Sequence, residues 1–249
     1  MNFHVFGNES SPVIVLIHGV LTPWQIWGKQ IEHFSESYRV IAVALDAHEE
    51  ERPSEFLSIE DEAEKIEDYI MDNCGGEVFA VCGLSMGGVI AHQIWRNGVI
   101  GMKKLIMDGA PLKTIPKIAL KIMTSNYLTI IRKSKKRDPK TLENFKKQFL
   151  PERFLDSYLK IADNMSDQSV RNIVSAAMSH DLCADIKSDT DVLFIHGTKG
   201  NEVISAKVGK LIKKYYPESR VHCFKGYLHC EATIYKPEEW LNVVEELLG

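Results

Sequence analysis

Short runs of apolar, mostly β-branched residues alternate along this chain with longer segments whose apolar positions recur every three or four residues. The short runs cover residues 12–17, 38–43, 77–82, 104–107, 191–195 and 220–224. Apolar side chains at nearly every position of so short a run predict strands buried on both faces, as in a parallel sheet. The longer segments predict helices. Residues 58–71 open with Ser58-Ile59-Glu60-Asp61, a capping-box-like start with acids in the first turn, and carry the stripe Ile59, Ala63, Ile66 and Ile70. Residues 203–216 and 237–248 read the same way. Such alternation predicts an α/β fold, a mostly parallel, doubly wound sheet with helices on both faces.

The alternation stops between residues 112 and 188. That stretch carries no strand pattern, only amphipathic pieces at 115–131, 141–149, 152–162 and 169–178, with a loop expected at 133–139. The expected organisation is a core of residues 1–111 and 189–249 bearing a helical cap over 112–188. Several apolar residues of the insertion, among them Ile118, Ile122, Met123 and Tyr127, are candidates for core packing or for lining an apolar pocket.

Composition narrows the class. With 249 residues, 45% of them hydrophobic, the chain has the means to build one compact domain with a sizeable core, so disorder is not expected. Its apolar runs are strand-sized, far below the ~20 residues of a membrane span. The first residues show no basic patch followed by an apolar run, so no secretory leader is expected. Five scattered cysteines without metal-ligand spacing fit a reducing compartment, and the cytoplasm is the expected location. Cys82 and Cys223 sit in strand-like runs as buried thiols, while Cys230 stands beside a histidine.

The net charge of −4 hides an asymmetry. Residues 46–77 hold 13 acids against 2 bases, and residues 113–160 hold 13 bases against 4 acids. Solvated helix faces that attract one another explain this most simply. A basic surface that receives an acidic ligand, partner or lipid is the functional alternative. No aromatic interleaving or known motif accompanies it, so nucleic-acid binding is not expected.

Three segments carry candidate chemistry. The 77–82 run leads directly into Gly83-Leu84-Ser85-Met86-Gly87-Gly88 and then into the helical pattern Val89-Ile90-Ala91-His92. This is G-x-S-x-G between a strand and a helix. Small residues at 83 and 87 permit the sharp turn that lifts the Ser85 hydroxyl above the sheet, at a helix N-terminus that favours negative charge. The 12–17 run ends in His18-Gly19-Val20, a turn able to bring the Val20 amide to face Ser85. With the Met86 amide it would form an oxyanion hole, while His18 braces the turn. The 220–224 run is followed by Lys225-Gly226-Tyr227-Leu228-His229, and a histidine in that loop can reach back to Ser85 as general base.

In this order the segments resemble the α/β-hydrolase superfamily, in its serine esterase and lipase-like branch. The likeness spans nearly the whole chain: the His18-Gly19 turn, the Ser85 elbow, the lid-like insertion, the strand end Ile195-His196-Gly197 and the late His229. Asp46-Ala47-His48 looks like a degenerate form of the family's Gly-His turn. The resemblance implies an eight-stranded sheet trimmed at its front edge and a cap that lines an acyl pocket. It also implies a triad acid three residues after Gly197, yet Gly200 stands there. Glu202, in a slightly longer loop, is the first candidate for that acid, and Asp108, at the end of the 104–107 run, is the alternative. Asn201, or a triad without an acid, is the remaining option.

The function expected is therefore hydrolysis of a carboxylic ester or thioester of a small molecule through a Ser85 acyl-enzyme. No spacing suggests a metal or organic cofactor. Three rivals stay open: a ligand-binding or weakly active protein on the same fold, an acyltransferase, and a structural relative whose lid seals the site.

Overall fold

The computed structural model describes residues 1–200 and 202–249, apart from the side chains of residues 147 and 148. Seven strands form one sheet: β1 (Asn2–Phe6), β2 (Val13–Ile17), β3 (Arg39–Ala44), β4 (Glu77–Leu84), β5 (Gly101–Asp108), β6 (Asp191–His196) and β7 (Arg220–Cys223). Their order is β1-β3-β2-β4-β5-β6-β7. All neighbours pair in parallel except β1, which runs antiparallel on the outer side of β3. Six of these strands coincide with the apolar runs, and β2 is buried at all five positions.

The front edge is trimmed, as expected, to a sheet of seven strands, but the apolar runs do not reveal its edge strand. Asn2–Phe6 supplies an antiparallel one, held by the register Phe3↔Val43 and Val5↔Ile41. Its residues are only partly buried, with Val5 exposed, so they show neither a buried run nor a clean alternation. Pairing with β3 makes the strand.

Helices α1 (Gly28–Phe34), α2 (Ile59–Cys74) and α3 (Met86–Asn97) follow β2, β3 and β4. Ser58 caps α2, accepting from the Asp61 amide at 3.1 Å, and the stripe Ile59, Ala63, Ile66 and Ile70 is buried. Four helices stand between β5 and β6: α4 (Lys117–Lys135), α5 (Pro139–Gln148), α6 (Leu155–Asn164) and α7 (Asp167–Met178). The loop expected at 133–139 starts later, because α4 continues through Lys135. Ser134 is buried there and hydrogen-bonded to the Tyr158 hydroxyl at 2.7 Å. Lysine is a good helix former, so only Ser134 weakens this end of the helix, and its buried hydrogen bond offsets that. Helices α8 (Val203–Tyr215), α9 (Glu231–Tyr235) and α10 (Pro237–Leu248) complete the chain.

Contacts of α2 with α3 and of α1 with α10 flank the sheet, and the Trp27 and Trp240 rings meet at 5.6 Å in the core. Of the two charged regions, Lys160 reaches Glu50 at 3.2 Å and Lys65 pairs with Asp46 inside the acidic region, while Arg132 and Arg137 pair with Asp167 and Asp163 just beyond the basic one. Among the described residues no helix is long and apolar enough to cross a membrane.

The topology sets the location of the site. From β2 the chain moves outward to β3 and then returns to the other side as β4. In an open parallel sheet, such a reversal leaves a crevice at the carboxyl ends of the two strands. Register places Ile17 beside Gly83, Leu84 beside Asp108, and Asp108 beside Ile195. The turns after β2, β4, β5 and β6 therefore emerge next to one another.

Candidate active site

Ser85 sits between β4 and α3 with φ 52° and ψ −112°, a left-handed conformation rare for a residue with a Cβ. The turn is feasible because Gly83 and Gly87 have no side chain. A Cβ on Gly83 would lie 2.2 Å from the Gly87 carbonyl oxygen, and one on Gly87 the same distance from that of Ile17. The strained backbone is clamped on both sides. The Ser85 amide donates to the Asp108 carbonyl at 2.7 Å, and its own carbonyl accepts from Gly88 and Val89.

His229 belongs to the loop after β7. Its Nε2 lies 3.0 Å from Ser85 Oγ, and its Nδ1 is hydrogen-bonded to Glu202 Oε1. That loop is tied to the Glu202 loop, since the Tyr227 carbonyl accepts from Thr198 and Lys199 at 3.0 and 2.9 Å. Glu202 precedes α8, with 1% of its surface exposed, and its Oε2 accepts from the Gly197 amide at 2.9 Å. Burial opposes ionisation of Glu202, but the hydrogen bond and charge of His229, with the Gly197 amide, hold its carboxyl below the usual range. Hydroxyl, imidazole and carboxylate form one continuous chain.

Asp108 is elsewhere in that arrangement. Its carboxyl, buried at the end of β5, accepts from the Thr233 hydroxyl of α9. Burial pushes its pKa up to about 7 despite the Thr233 bond and the nearby His229. Its backbone holds Ser85, and the next residue, Gly109, lets the imidazole approach. A Cβ on Gly109 would lie 2.7 Å from His229 Cε1. Asn201 lies outside the described residues.

The turn after β2 packs against the elbow, where a Cβ on Gly19 would meet Ser85 Cβ at 3.3 Å. Val20 lines the space above Ser85, and Met86 opens α3 directly after it. Two buried histidines brace this turn. His18 Nδ1 donates to the Gly19 carbonyl at 2.8 Å while its Nε2 accepts from the Leu45 amide. His48 Nε2 accepts from the Leu21 amide at 3.1 Å while its Nδ1 donates to the Asp46 carbonyl. Burial lowers both pKa values, that of His48 to about 4, so each ring is neutral at pH 7 and able to donate and accept at once. The part played by His48 was not visible in sequence, where Asp46-Ala47-His48 offered only a weak turn pattern.

A cavity of about 390 Å³ opens over Ser85 and His229. Val20, Leu21 and Leu228 supply its wall on the sheet side, and Met123, Tyr127, Phe145, Phe149 and Met178 on the side of the insertion. Among the described residues no carboxylate, lysine or arginine lines it. Of the apolar candidates in the insertion, Leu128 and Ile131 pack in the core, and Met123 and Tyr127 face the cavity. Ile118 and Ile122 instead remain 75% and 59% exposed on the outer side of α4. Asp46, Asp61 and Glu62 form a carboxylate cluster with metal-like spacing, but the Lys65 ammonium already sits on Asp46 and Asp61 at 2.6 and 2.5 Å.

The sequence model of the alpha/beta hydrolase fold family matches residues 12–230. A carboxylesterase structure from Nitrososphaera gargenis shares 18% identity at a TM-score of 0.79, covering 99% of this chain and 93% of that one. The esterase of Exiguobacterium antarcticum shares 21% at 0.75, over 99% and 95% of the two chains. MenH from S. aureus shares 18% at 0.73, over 99% and 97%. A comparison with curated proteins gives no match.

Proposed function

The chain belongs to the alpha/beta hydrolase family, and from that premise we propose that it is a serine hydrolase cleaving a carboxylic ester or thioester of a small, uncharged molecule. One observation carries the reading: the Ser85 hydroxyl lies 3.0 Å from an imidazole nitrogen whose other nitrogen is bonded to the buried carboxylate of Glu202. The core of residues 1–111 and 189–249 provides this machinery, and residues 112–188 act as the cap over it. The esterase neighbours agree with ester chemistry on this fold.

In the proposed reaction, Ser85 Oγ attacks the substrate carbonyl as its proton passes to His229 Nε2. Glu202 stabilises the imidazolium that forms and fixes the tautomer that leaves Nε2 free. The oxyanion of the tetrahedral intermediate accepts from the amides of Val20 and Met86, each donor contributing roughly 3 kcal/mol to transition-state stabilisation. His229 then gives its proton to the leaving alcohol or thiol, and an acyl-Ser85 ester remains. Water, deprotonated by His229, attacks that ester, and collapse of the second intermediate releases the acid and restores the Ser85 hydroxyl. No step in this sequence uses a metal or an organic cofactor.

The test is covalent labelling. A fluorophosphonate probe is expected to modify the wild-type protein at one peptide, that of Ser85, and to leave Ser85→Ala unlabelled. A wild-type protein that hydrolyses no p-nitrophenyl ester and never labels at Ser85 sinks the proposal.

A further inference from the structure

A hydroxyl on a cavity wall that has only solvent for a partner loses that partner when a ligand fills the cavity, and leaving its hydrogen bond unmade then costs free energy. The cavity over Ser85 has such a hydroxyl. Of its polar side chains, Ser85 is bonded to His229, Thr22 donates to the Gly19 carbonyl at 2.9 Å, and Ser205 faces Glu202 at 3.5 Å. The Tyr127 hydroxyl, on the same wall, has no hydrogen-bond partner among the described residues.

Its position is held by its helix. Leu128 and Ile131 anchor α4 in the core, which leaves Met123 and Tyr127, one turn apart, on the cavity side. The Tyr127 ring lines the same cavity as Ser85, His229 and Cys230. Burial raises the pKa of the phenol, which keeps the O–H donor intact at neutral pH. With no carboxylate, lysine or arginine on the wall among the described residues, a charged acyl group would be desolvated without compensation there.

We propose that Tyr127 sets substrate preference: its hydroxyl donates a hydrogen bond to an uncharged oxygen, as in an ether, alcohol or ketone, close to the scissile carbonyl of an otherwise apolar acyl group. This deepens the serine-hydrolase reading and rests on it. A plain alkyl chain fills the same space but leaves the phenol unsatisfied, which is the kind of mismatch that separates substrates strongly.

Two isosteric pairs of p-nitrophenyl esters test this: methoxyacetate against butyrate, and 3-methoxypropionate against pentanoate. The kcat/KM ratio of oxygenated to alkyl ester is measured for the wild-type protein and for Tyr127→Phe. Intrinsic ester reactivity is common to both proteins and cancels. The ratio is expected to fall about tenfold in Tyr127→Phe for at least one pair, with all the loss on the oxygenated ester. A ratio that stays within about twofold in both pairs, including an equal loss on all four esters, overturns the inference, because it leaves Tyr127 a packing residue. Thermal midpoints of the two proteins check that both are folded. Wild-type protein inactive on all four esters overturns the serine-hydrolase reading and this inference together; active protein with an unchanged ratio overturns this inference alone.

Discussion

The end of β5 and the loop after β6 lie side by side, and each presents one carboxyl group to the same few ångströms of protein. Asp108 is 2% exposed and Glu202 1%. Both are closed to solvent, yet the two groups behave in opposite ways. Glu202 faces the His229 imidazole and a backbone amide, and its pKa is held low. Asp108 faces the Thr233 hydroxyl, and its pKa rises to about 7. The comparison teaches that exclusion from solvent does not by itself decide whether a carboxylate is available to stabilise a developing positive charge; its partners decide with it.

The sharpest way to break the contrast is to neutralise each acid in turn. Glu202→Gln is expected to lower kcat on p-nitrophenyl butyrate by about 10⁴-fold, because the amide no longer enforces the right tautomer or stabilises the imidazolium. Asp108→Asn should cost less than about tenfold, since it keeps the acceptor for Thr233 and leaves His229 its partner. A larger loss from Asp108→Asn than from Glu202→Gln would reverse the two roles.

A smaller effect is expected between the two regions. Gly109→Ala forces a methyl to within 2.7 Å of His229 Cε1 and must displace the ring from Ser85. A shift near 1 Å lowers kcat/KM by about 100-fold. Steady-state kinetics beside a thermal melt will separate displacement from unfolding.

The smallest effect is a pair of opposed slopes in stability against pH. The Asp108 carboxyl keeps its proton up to about 7 in the fold but loses it near 3.8 when unfolded. The folded chain binds the extra proton between those values, so this group makes stability fall as pH rises through that window. Asp108→Asn should flatten that fall in thermal midpoints measured from pH 4 to 7. Glu202 has the opposite sign: its lowered pKa gives stability that is present above its unfolded value of about 4.5 and lost as pH falls below it. Glu202→Gln should remove that acid-side loss.

Much of this architecture is legible in the sequence. The buried strands announced themselves as apolar runs, and Ser85 stood in a turn that six consecutive residues specify. His229 was legible from its place after the last strand. Strand β1 was not, because residues 2–6 become a strand only by pairing with β3. The inner and outer positions of α4 were not separable either. Ile122 and Met123 are adjacent and similarly apolar, yet one is exposed and the other lines the cavity. Helical periodicity gives a stripe, while its orientation depends on what the helix packs against.

The two candidate acids show where that boundary falls. Gly200 occupies the position where a family resemblance places the carboxylate, and two other acids stood within plausible reach of His229. Chain-local chemistry was enough for the elbow, because a strand, two small residues and a helix start make a strained turn wherever they are placed. It could not choose between Glu202 and Asp108, since both end buried beside the same histidine. Contacts across the chain set the two apart. The Gly197 amide and His229 converge on Glu202 from separate loops, and Thr233 draws Asp108 towards α9. Hydrogen bonds between segments dozens of residues apart exist only once the sheet has set those segments side by side.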